Sequence, residues 1–322
     1  MMPDPSLQPV WGVTRMTGVA AQVLHLSACA LAGFFAKVAS PDVTPSNPDS
    51  PETAAVPRLI WSGMTHVGRF RQNNEDSFLA LTYDANEVRY LGKIGESSMQ
   101  AGDFVFAVSD GMGGAKSGEF ASRMVVQQVM RLMPRSYKQA AQGLSSGFGD
   151  VLEEICLKVH EEISKMGRVY AECHGMGATL SLACFTPEVM HFAHVGDSRI
   201  YYLPQGGKLV QITEDHTHVG WLRRQGKLNE REARTHPGRN RLDQALGAGQ
   251  QIVRPHIGSV RYQPGDRFLL CSDGITDALW DFRVEEHLRA PVDDKPRAFK
   301  VVEHAVSESG RDNCTAICVE VV

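Results

Sequence analysis

The chain has 322 residues, of which 43% are hydrophobic and 22% are charged, so it can bury a sizeable core. Its formal net charge of -4 provides no basic surface of the kind that binds nucleic acid, and we expect no nucleic-acid partner. The 7 cysteines include no CxxC pair, and several lie in apolar runs, which favours buried reduced thiols over disulfides or a zinc site.

The first segment, residues 1–58, is predicted to be a variable and disordered extension that ends in a linker. Residues 40–57 are rich in Pro, Ser, Asp and Thr, a composition that buries too little apolar surface to fold. Residues 16–39 are mostly apolar, but polar residues such as His25 interrupt them, so they make a poor membrane-spanning helix. A weak signal or anchor, an amphipathic extension and an unused upstream start all remain open, and the expected location is the cytoplasm.

From Leu59 onward the sequence combines short strand-like runs with longer amphipathic helices. Runs such as VFAVSD and RFLLCSD are typical of strands, whereas residues 118–133, 147–167 and 295–310 have apolar side chains at helical spacing. Two short helices are predicted within residues 218–237. Because the helices occur in blocks and do not alternate with strands, the pattern favours an α+β domain with largely antiparallel sheets over a doubly wound parallel sheet.

A glycine-rich stretch, VSDGMGGAKSG, includes Asp110 at the end of a predicted strand. It fails the P-loop pattern because the required glycines would fall on Asp110 and Ala115. It fails the dinucleotide-binding pattern because Lys116 stands where the third glycine belongs. An ordinary glycine-rich turn is the simplest interpretation of this stretch taken alone.

Further carboxylates stand at predicted strand ends beside Gly or Asn, namely Glu75, Asp76, Asp197, Asp273 and Asp312. Each is compatible with a turn, but together with Asp110 they predict an acidic cluster where strand ends converge. Such a cluster without His or Cys favours Mg²⁺ or Mn²⁺, because these hard cations prefer oxygen ligands. Gly111 allows a sharp turn that brings its carbonyl to the same ion, and Arg71 is suited to bind a phosphoryl dianion. Two such ions can orient a water for attack on phosphorus.

Eight motifs, in order from about Ser62 to Val322, resemble the metal-dependent protein phosphatases of the type 2C Ser/Thr family, in particular its compact bacterial branch. They are THVGRFRQNNEDS, VSDGMGG, GMGATL, HVGDSRIYYL, ITEDHTHV, RNRLDQALG, LLCSDGITD and GRDNCTAI. The resemblance implies an α+β fold in which two mostly antiparallel β-sheets form a sandwich flanked by helices (α-β-β-α). It places the catalytic domain at residues 59–322 and a flap segment at about 216–247.

The resemblance also implies roles for individual residues. The implied metal ligands are a bridging Asp110, the carbonyl of Gly111, Glu75, Asp76, Asp273, Asp312 and, for a third and weaker ion, Asp197. Arg71, Asp110 and Asp273 are the implied catalytic residues, with Arg71 binding the substrate phosphate. The expected cofactors are two Mn²⁺ or Mg²⁺ ions, with a third where the weaker site is filled.

One position departs from the animal members of the family, which carry a His where this chain has Met112. Methionine cannot protonate the leaving alkoxide, so water or another group must do so. His216 in the flap is one candidate, and a structural role for this histidine is the alternative.

The implied function is hydrolysis of phosphoserine and phosphothreonine by direct attack of a metal-bridged water. The expected partners are phosphorylated protein substrates and the Ser/Thr kinase whose action is reversed, with no membrane partner and a monomeric chain. One alternative is a dedicated phosphatase of a Ser-phosphorylated regulator in a partner-switching pathway, and another is a non-catalytic pseudophosphatase-like binding module. The intact RQNNED motif favours the first function, and no bridging acid is missing.

Overall fold

The computed structural model describes residues 56–84, 87–141, 147–249, 252–291 and 294–322. The predicted N-terminal extension therefore lies outside the described residues, except for its last positions, and so does the apolar segment at 16–39. No helix in the described part of the chain is both long enough and apolar enough to cross a membrane.

The described residues form short strands and two long helices joined by smaller elements. The strands are β1 (Arg58–His66), β2 (Asp76–Tyr83), β3 (Val88–Tyr90), β4 (Ile94–Ser98), β5 (Asp103–Met112), β6 (Gly177–Ala178), β7 (Leu180–Phe185), β8 (Val189–Val195), β9 (Arg199–Leu203), β10 (Val210–Gln211), β11 (Leu246–Gly247), β12 (His256–Arg261), β13 (Arg267–Cys271) and β14 (Cys314–Val321). The helices are α1 (Ala115–Ala141), α2 (Phe148–Val169), α3 (His218–Arg224), α4 (Glu230–Thr235), α5 (Asp273–Ala278), α6 (Asp281–Arg289) and α7 (Arg297–Glu308).

The strands form two antiparallel sheets. One has the order β10-β9-β13-β14-β1-β4, and the other has the order β11-β6-β5-β7-β8-β12, with β2 paired to β5 and β3 paired to β2. In the second sheet short connections join β6 to β7 and β7 to β8, whereas in the first sheet β1 pairs with β14 from the opposite end of the sequence. This pairing holds the two ends of the domain together.

Three apolar layers hold the sheets and helices together. Between the sheets, Phe185 of one sheet meets Phe268 of the other edge to face, with ring centroids 5.1 Å apart. The outer face of the second sheet packs on α1 and α2 through buried residues such as Val125 and Ile155, and the outer face of the first sheet packs on α7 through Val301. The predicted α-β-β-α sandwich is therefore confirmed.

The helices differ from the sequence prediction in two ways. Helix α1 runs to Ala141 and contains Pro134, although the apolar spacing ends at Met133. Apolar spacing reports only the part of a helix that is buried, so it misses an extension beyond the core. The short helices α5 and α6 were not predicted, because each has too few residues to show a helical period.

The antiparallel order places several strand ends at one end of the sandwich. Strand β2 begins at Asp76, directly opposite Asp110 near the end of β5. In the same way, β13 ends just before Asp273, and β14 begins just after Asp312. The turn between β8 and β9 crosses from one sheet to the other and carries Asp197. Residues far apart in the sequence thus meet because neighbouring strands run in opposite directions.

A buried ion pair fixes the start of the flap segment against this turn. Arg199 donates from Nη2 to Asp215 Oδ2 at 2.7 Å and from Nε to Oδ1 at 3.0 Å, and the two side chains are only 16% and 11% exposed. Gln211 Nε2 donates to the same carboxylate at 2.7 Å. The backbone N–H of His216 donates to the Gly196 carbonyl at 2.7 Å, which ties the two segments together a second time.

Replacing Asp215 with Asn should lower the free energy of unfolding by about 3–5 kcal/mol, because it removes the carboxylate that is hydrogen-bonded to the buried guanidinium of Arg199. The matched control is Glu188→Gln, which breaks the exposed Arg261–Glu188 pair and should change stability by no more than about 0.5 kcal/mol. Urea unfolding of both variants and the parent measures the difference. Equal losses for the two variants would contradict a stabilising role for the buried pair.

Candidate metal centre

The predicted site residues meet in a cleft of about 770 Å³ at the end of the sandwich. Its lining includes Arg71, Glu75, Asp110, Gly111, Asp197, Asp273 and Asp312. Asp76 is buried and is not part of the lining, but its Cα is paired with that of Asp110 in the ladder between β2 and β5. The structure therefore brings together the acids that the sequence places at separate strand ends.

The backbone after Asp110 passes so close to its neighbours that only glycine fits. A Cβ on Gly111 would lie 1.9 Å from the carbonyl oxygen of Gly118, and a Cβ on Gly118 would lie 2.5 Å from Glu75 Oε2. The Gly111 N–H donates to the Glu75 carbonyl at 3.1 Å, and Gly113 and Gly114 turn the chain into α1 with positive φ angles. The glycines thus let two backbone segments and a carboxylate share one small space.

Asp110 is held in place by Thr179. The Asp110 N–H donates to Thr179 Oγ1 at 2.9 Å, and the Thr179 N–H donates back to the Asp110 carbonyl at 2.8 Å. These bonds use only the backbone of Asp110, so its carboxylate is left to face the cleft. Thr179 lies in the GMGATL motif, but sequence reasoning gave it no role.

Asp76 is positioned by its neighbours on β13 and β14. Ser272 Oγ donates to Asp76 Oδ2 at 2.7 Å and accepts from the Thr315 N–H at 3.0 Å. The other carboxylate oxygen, Asp76 Oδ1, is buried and has no hydrogen-bond partner among the described residues, and the same is true of Asp273 Oδ1. A buried oxygen without a partner carries a desolvation cost that a bound cation would relieve.

Asn313 joins the loops that carry Arg71 and Glu75. Its Oδ1 accepts from the Glu75 N–H at 2.7 Å, and its Nδ2 donates to the carbonyls of Val67 and Asn73 at 2.8 and 3.0 Å. The asparagine follows Asp312 in the motif GRDNCTAI, where sequence reasoning considered only the acid. An Asn directly before a buried strand, next to a proposed ligand, is the signal that could have identified it.

Burial and mutual repulsion raise the pKa values of these carboxyl groups. Burial raises the pKa of Asp76 to about 6 and that of Asp197 to about 7. For Asp110 and Asp273, burial and the neighbouring carboxylates raise the pKa well above its usual range. Burial also raises the pKa of Glu75, and Arg71 partly offsets this effect. The protein thus holds together acids that disfavour their own ionisation.

Arg71 brings a positive charge into direct contact with this cluster. Its Nη2 lies 2.6 Å from Asp312 Oδ2, and the side chains of the two residues are 49% and 36% exposed. The hydrogen bond that Arg71 donates to Asp312 raises the pKa of Arg71 above its usual value, so the guanidinium stays charged. Because the pair is half exposed, its contribution to stability is small and a stronger anion can compete for the guanidinium.

The donor set fits hard divalent cations. Every candidate ligand is a carboxylate or carbonyl oxygen, which is the preference of Mg²⁺ and Mn²⁺, and the buried Oδ1 atoms of Asp76 and Asp273 have no hydrogen-bond partner in the described part of the chain. Within the described residues, no three His, Cys, Asp or Glu side chains are already grouped closely enough to hold a metal ion. The fit therefore rests on the chemistry of the donors and on their shared cleft.

His216 does not reach the cleft. Its Nδ1 accepts the N–H of Gly196 at 3.2 Å, and its ring lies 5.1 Å from that of the buried His194. Burial lowers the pKa of His216 to about 4, so the ring is neutral at physiological pH. The geometry gives this histidine a structural role at the base of the flap, which was the alternative to an acid catalyst.

Comparison with known proteins agrees with this geometry. The sequence profile of the family described as Protein phosphatase 2C matches residues 93–305. The chain is 33% identical over 248 residues to the serine/threonine protein phosphatase PstP of Mycobacterium tuberculosis, a match that covers 76% of this chain and 46% of PstP, so it spans about half the length of that relative. It is 34% identical over 261 residues to the serine/threonine phosphatase stp of Listeria monocytogenes, covering 80% of this chain and 93% of the relative.

A solved structure has the same fold. The crystal structure of the catalytic domain of serine threonine protein phosphatase PstP in complex with 2 manganese ions matches with a TM-score of 0.63 and 29% identity, covering 83% of this chain and 99% of that chain. The family profile, the identity to the curated relatives and this structural match agree with one another. The chain therefore belongs to the protein phosphatase 2C family.

Proposed function

We propose that this chain is a metal-dependent protein serine/threonine phosphatase, with residues 59–322 as its catalytic domain. The observation that supports this most strongly is a cleft lined by carboxylates, one of which, Asp273, has a buried oxygen without a hydrogen-bond partner among the described residues, beside the partly exposed Arg71. Oxygen donors suit a divalent cation, and the guanidinium suits a phosphoryl dianion. The names of the relatives point to the same reaction on phosphorylated proteins.

The residues that would hold two divalent cations are Asp110, Asp273, Asp312, Glu75, Asp76 and the carbonyl of Gly111, and Asp197 with Asp273 would hold a third. A PstP structure with 2 manganese ions supports Mn²⁺ as one occupant, and Mg²⁺ has the same donor preference. When bound, such ions polarise a phosphoryl oxygen and lower the pKa of water. Neutralisation of the cluster would also allow its acids to ionise together.

Arg71 binds the phosphate in this proposal. It leaves Asp312, to which it is bound by one contact of 2.6 Å, and donates two N–H groups to the phosphoryl oxygens. Breaking the Arg71–Asp312 ion pair costs little free energy because both side chains are partly exposed to water. The bidentate geometry then orients the phosphorus toward the floor of the cleft, which raises the fraction of productive encounters.

The leaving alkoxide takes its proton from water in this proposal. Met112 cannot donate one, and no His, Lys, Cys or Tyr lies in the described lining of the cleft. His216 is excluded by its position and by its pKa, which burial lowers to about 4. The open cleft gives solvent access to the leaving group.

The natural substrates of this proposal are phosphoproteins, and its partner is the Ser/Thr kinase whose products it hydrolyses. We propose a monomer that acts in the cytoplasm. The described cysteines are free and buried, which is typical of proteins from a reducing compartment.

Hydrolysis of p-nitrophenyl phosphate and of a phosphothreonine peptide should require Mn²⁺ or Mg²⁺ and should stop when EDTA is added. Asp110→Asn should lose both turnover and bound metal, measured by elemental analysis, because the change removes a charge from the centre of the cluster. The matched control is Asp150→Asn, an acid in the first turn of α2 outside the cleft, which should keep both. Full turnover by a rigorously demetallated sample would refute the proposal.

Replacing Arg71 with Ala should raise KM for a phosphopeptide by about 10-fold or more while leaving the bound metal unchanged, because the arginine contacts the dianion and the acids hold the ions. Arg69→Ala is the control, since Arg69 lies in the same loop but donates to the Ser307 carbonyl outside the cleft. Steady-state kinetics and metal content are measured on both variants. Loss of metal from Arg71→Ala would show that the arginine supports the cluster instead of the substrate.

A further inference from the structure

The mouth of the cleft carries two side chains that the proposed chemistry does not use. Phe70 directly precedes Arg71 and is 72% exposed, and Arg241 is exposed on the segment that follows α4. Both belong to the lining of the cleft, as do the partly buried side chains of Met112 and Leu242. The two wall segments are distant in sequence, yet each presents side chains at the same opening.

Arg241 differs from the other arginines around the cleft. Arg71 is bound to Asp312 at 2.6 Å, and Arg239 lies 3.6 Å from Asp277. In contrast, the guanidinium of Arg241 makes no ion pair or hydrogen bond with the residues that the structure describes; only its backbone N–H is bonded, to the Gly238 carbonyl. Its charge is therefore available to a ligand at the mouth.

Phe70 is likewise exposed, and its ring stacks on no other aromatic ring or cation among the residues that the structure describes. Single exposed apolar residues are common on protein surfaces and need no special reason. Here, however, the ring stands one residue from the group proposed to bind the phosphate, and apolar side chains of Met112 and Leu242 line the same cleft. A ligand that reaches Arg71 would pass the phenyl ring on its way in.

The cleft is also larger than a phosphoryl group requires. A volume of about 770 Å³ falls in the range of roughly 300–1,000 Å³ that accommodates drug-sized ligands. A phosphorylated side chain would occupy its acidic floor, and the residues on either side would lie at the mouth. A small phosphate ester would leave Phe70 and Arg241 without a contact, so these positions suit a protein segment.

We propose that Phe70 and Arg241 select the residues that flank the phosphorylated side chain, so that the preferred substrate is a phosphoprotein segment with an apolar residue and an acidic residue beside the phosphorylated one. The inference rests on the proposed phosphatase function and adds the class of sequence that the site accepts. Phe70 covers the apolar neighbour, and Arg241 pairs with the acidic neighbour. The charge of Arg241 also offsets the repulsion between an acidic segment and the carboxylates on the floor.

The test compares selectivity ratios within each variant, so that a change in overall activity cancels. In each phosphothreonine peptide the residues on both sides of the phosphothreonine are varied. One neighbour is Leu or Ala and the other is Asp, Ala or Lys, and both orders are tested. Their kcat/KM values are measured for the parent, Phe70→Ala, Arg241→Gln and Arg241→Glu. The controls are Phe282→Ala, an exposed phenylalanine on α6 outside the cleft, and Arg261→Gln, an exposed arginine on β12.

The parent should prefer Leu over Ala by about 10-fold, the low end for an apolar contact, and Asp over Ala by about 2- to 5-fold, the range of an exposed ion pair. Phe70→Ala should lose the preference for Leu over Ala and keep the preference for Asp over Ala. Arg241→Gln should lose the preference for Asp and keep the preference for Leu, and Arg241→Glu should favour the Lys peptide. Both controls should keep both ratios.

Two results overturn the inference in distinguishable ways. If the parent hydrolyses p-nitrophenyl phosphate but shows no flanking preference, or if the variants keep the parental ratios, the inference is wrong and the phosphatase function stands. If the metal-loaded parent hydrolyses neither the peptides nor p-nitrophenyl phosphate, the proposed function fails and the inference fails with it.

Discussion

The burial of several carboxyl groups at one end of the sandwich is the constraint on which the rest of the site depends. Such groups repel one another and are poorly solvated, so burial raises the pKa of Asp76 to about 6 and that of Asp197 to about 7. An unfolded carboxyl has a pKa of about 3.9. Because the folded values are higher, the acids favour the folded state only while they are protonated, and this contribution is lost as the pH rises through the folded values. A bound divalent cation would supply the opposite charge without requiring protonation, so at neutral pH it would stabilise the ionised cluster.

The antiparallel sheets make this arrangement possible. Asp76 stands opposite Asp110 because β2 and β5 run in opposite directions in a fixed register, and a shift of one residue would turn Asp110 to the other face. The close approach at Gly111 then forces the backbone, not a side chain, to line the cleft. The hydrogen bonds of Thr179, Ser272 and Asn313 hold the strand ends in place. These bonds mean that the acids are positioned by the fold and not by one another.

Local patterns in the sequence predicted an α+β domain with largely antiparallel sheets and the meeting of the acids, and the family resemblance added the α-β-β-α order of layers. Strand ends show as apolar runs that stop at Asp and Gly, and α1 and α2 show a helical period over many residues. The roles of Thr179 and Asn313 were missed because a hydrogen bond between distant segments has no local signature. Helix α1 was predicted too short, since its continuation past Met133 lies outside the apolar pattern. The sequence left His216 open as either an acid catalyst or a structural residue. Its structural role depends on a hydrogen bond from Gly196, which lies 20 positions away and leaves no local signature.

The most direct test of the account is the number of protons released when Mn²⁺ binds the metal-free protein. Calorimetric titration in buffers of different ionisation enthalpy measures this number as a function of pH. Burial raises the pKa of Asp76 to about 6 and that of Asp197 to about 7, so the account predicts substantial proton release near these values. Asp110 and Asp273, whose pKa values are raised well above the usual range, should add to this release. Binding of Mn²⁺ without any proton release between about pH 6 and pH 7, or no binding at all, would contradict the claim that buried, protonated carboxyl groups form the metal centre.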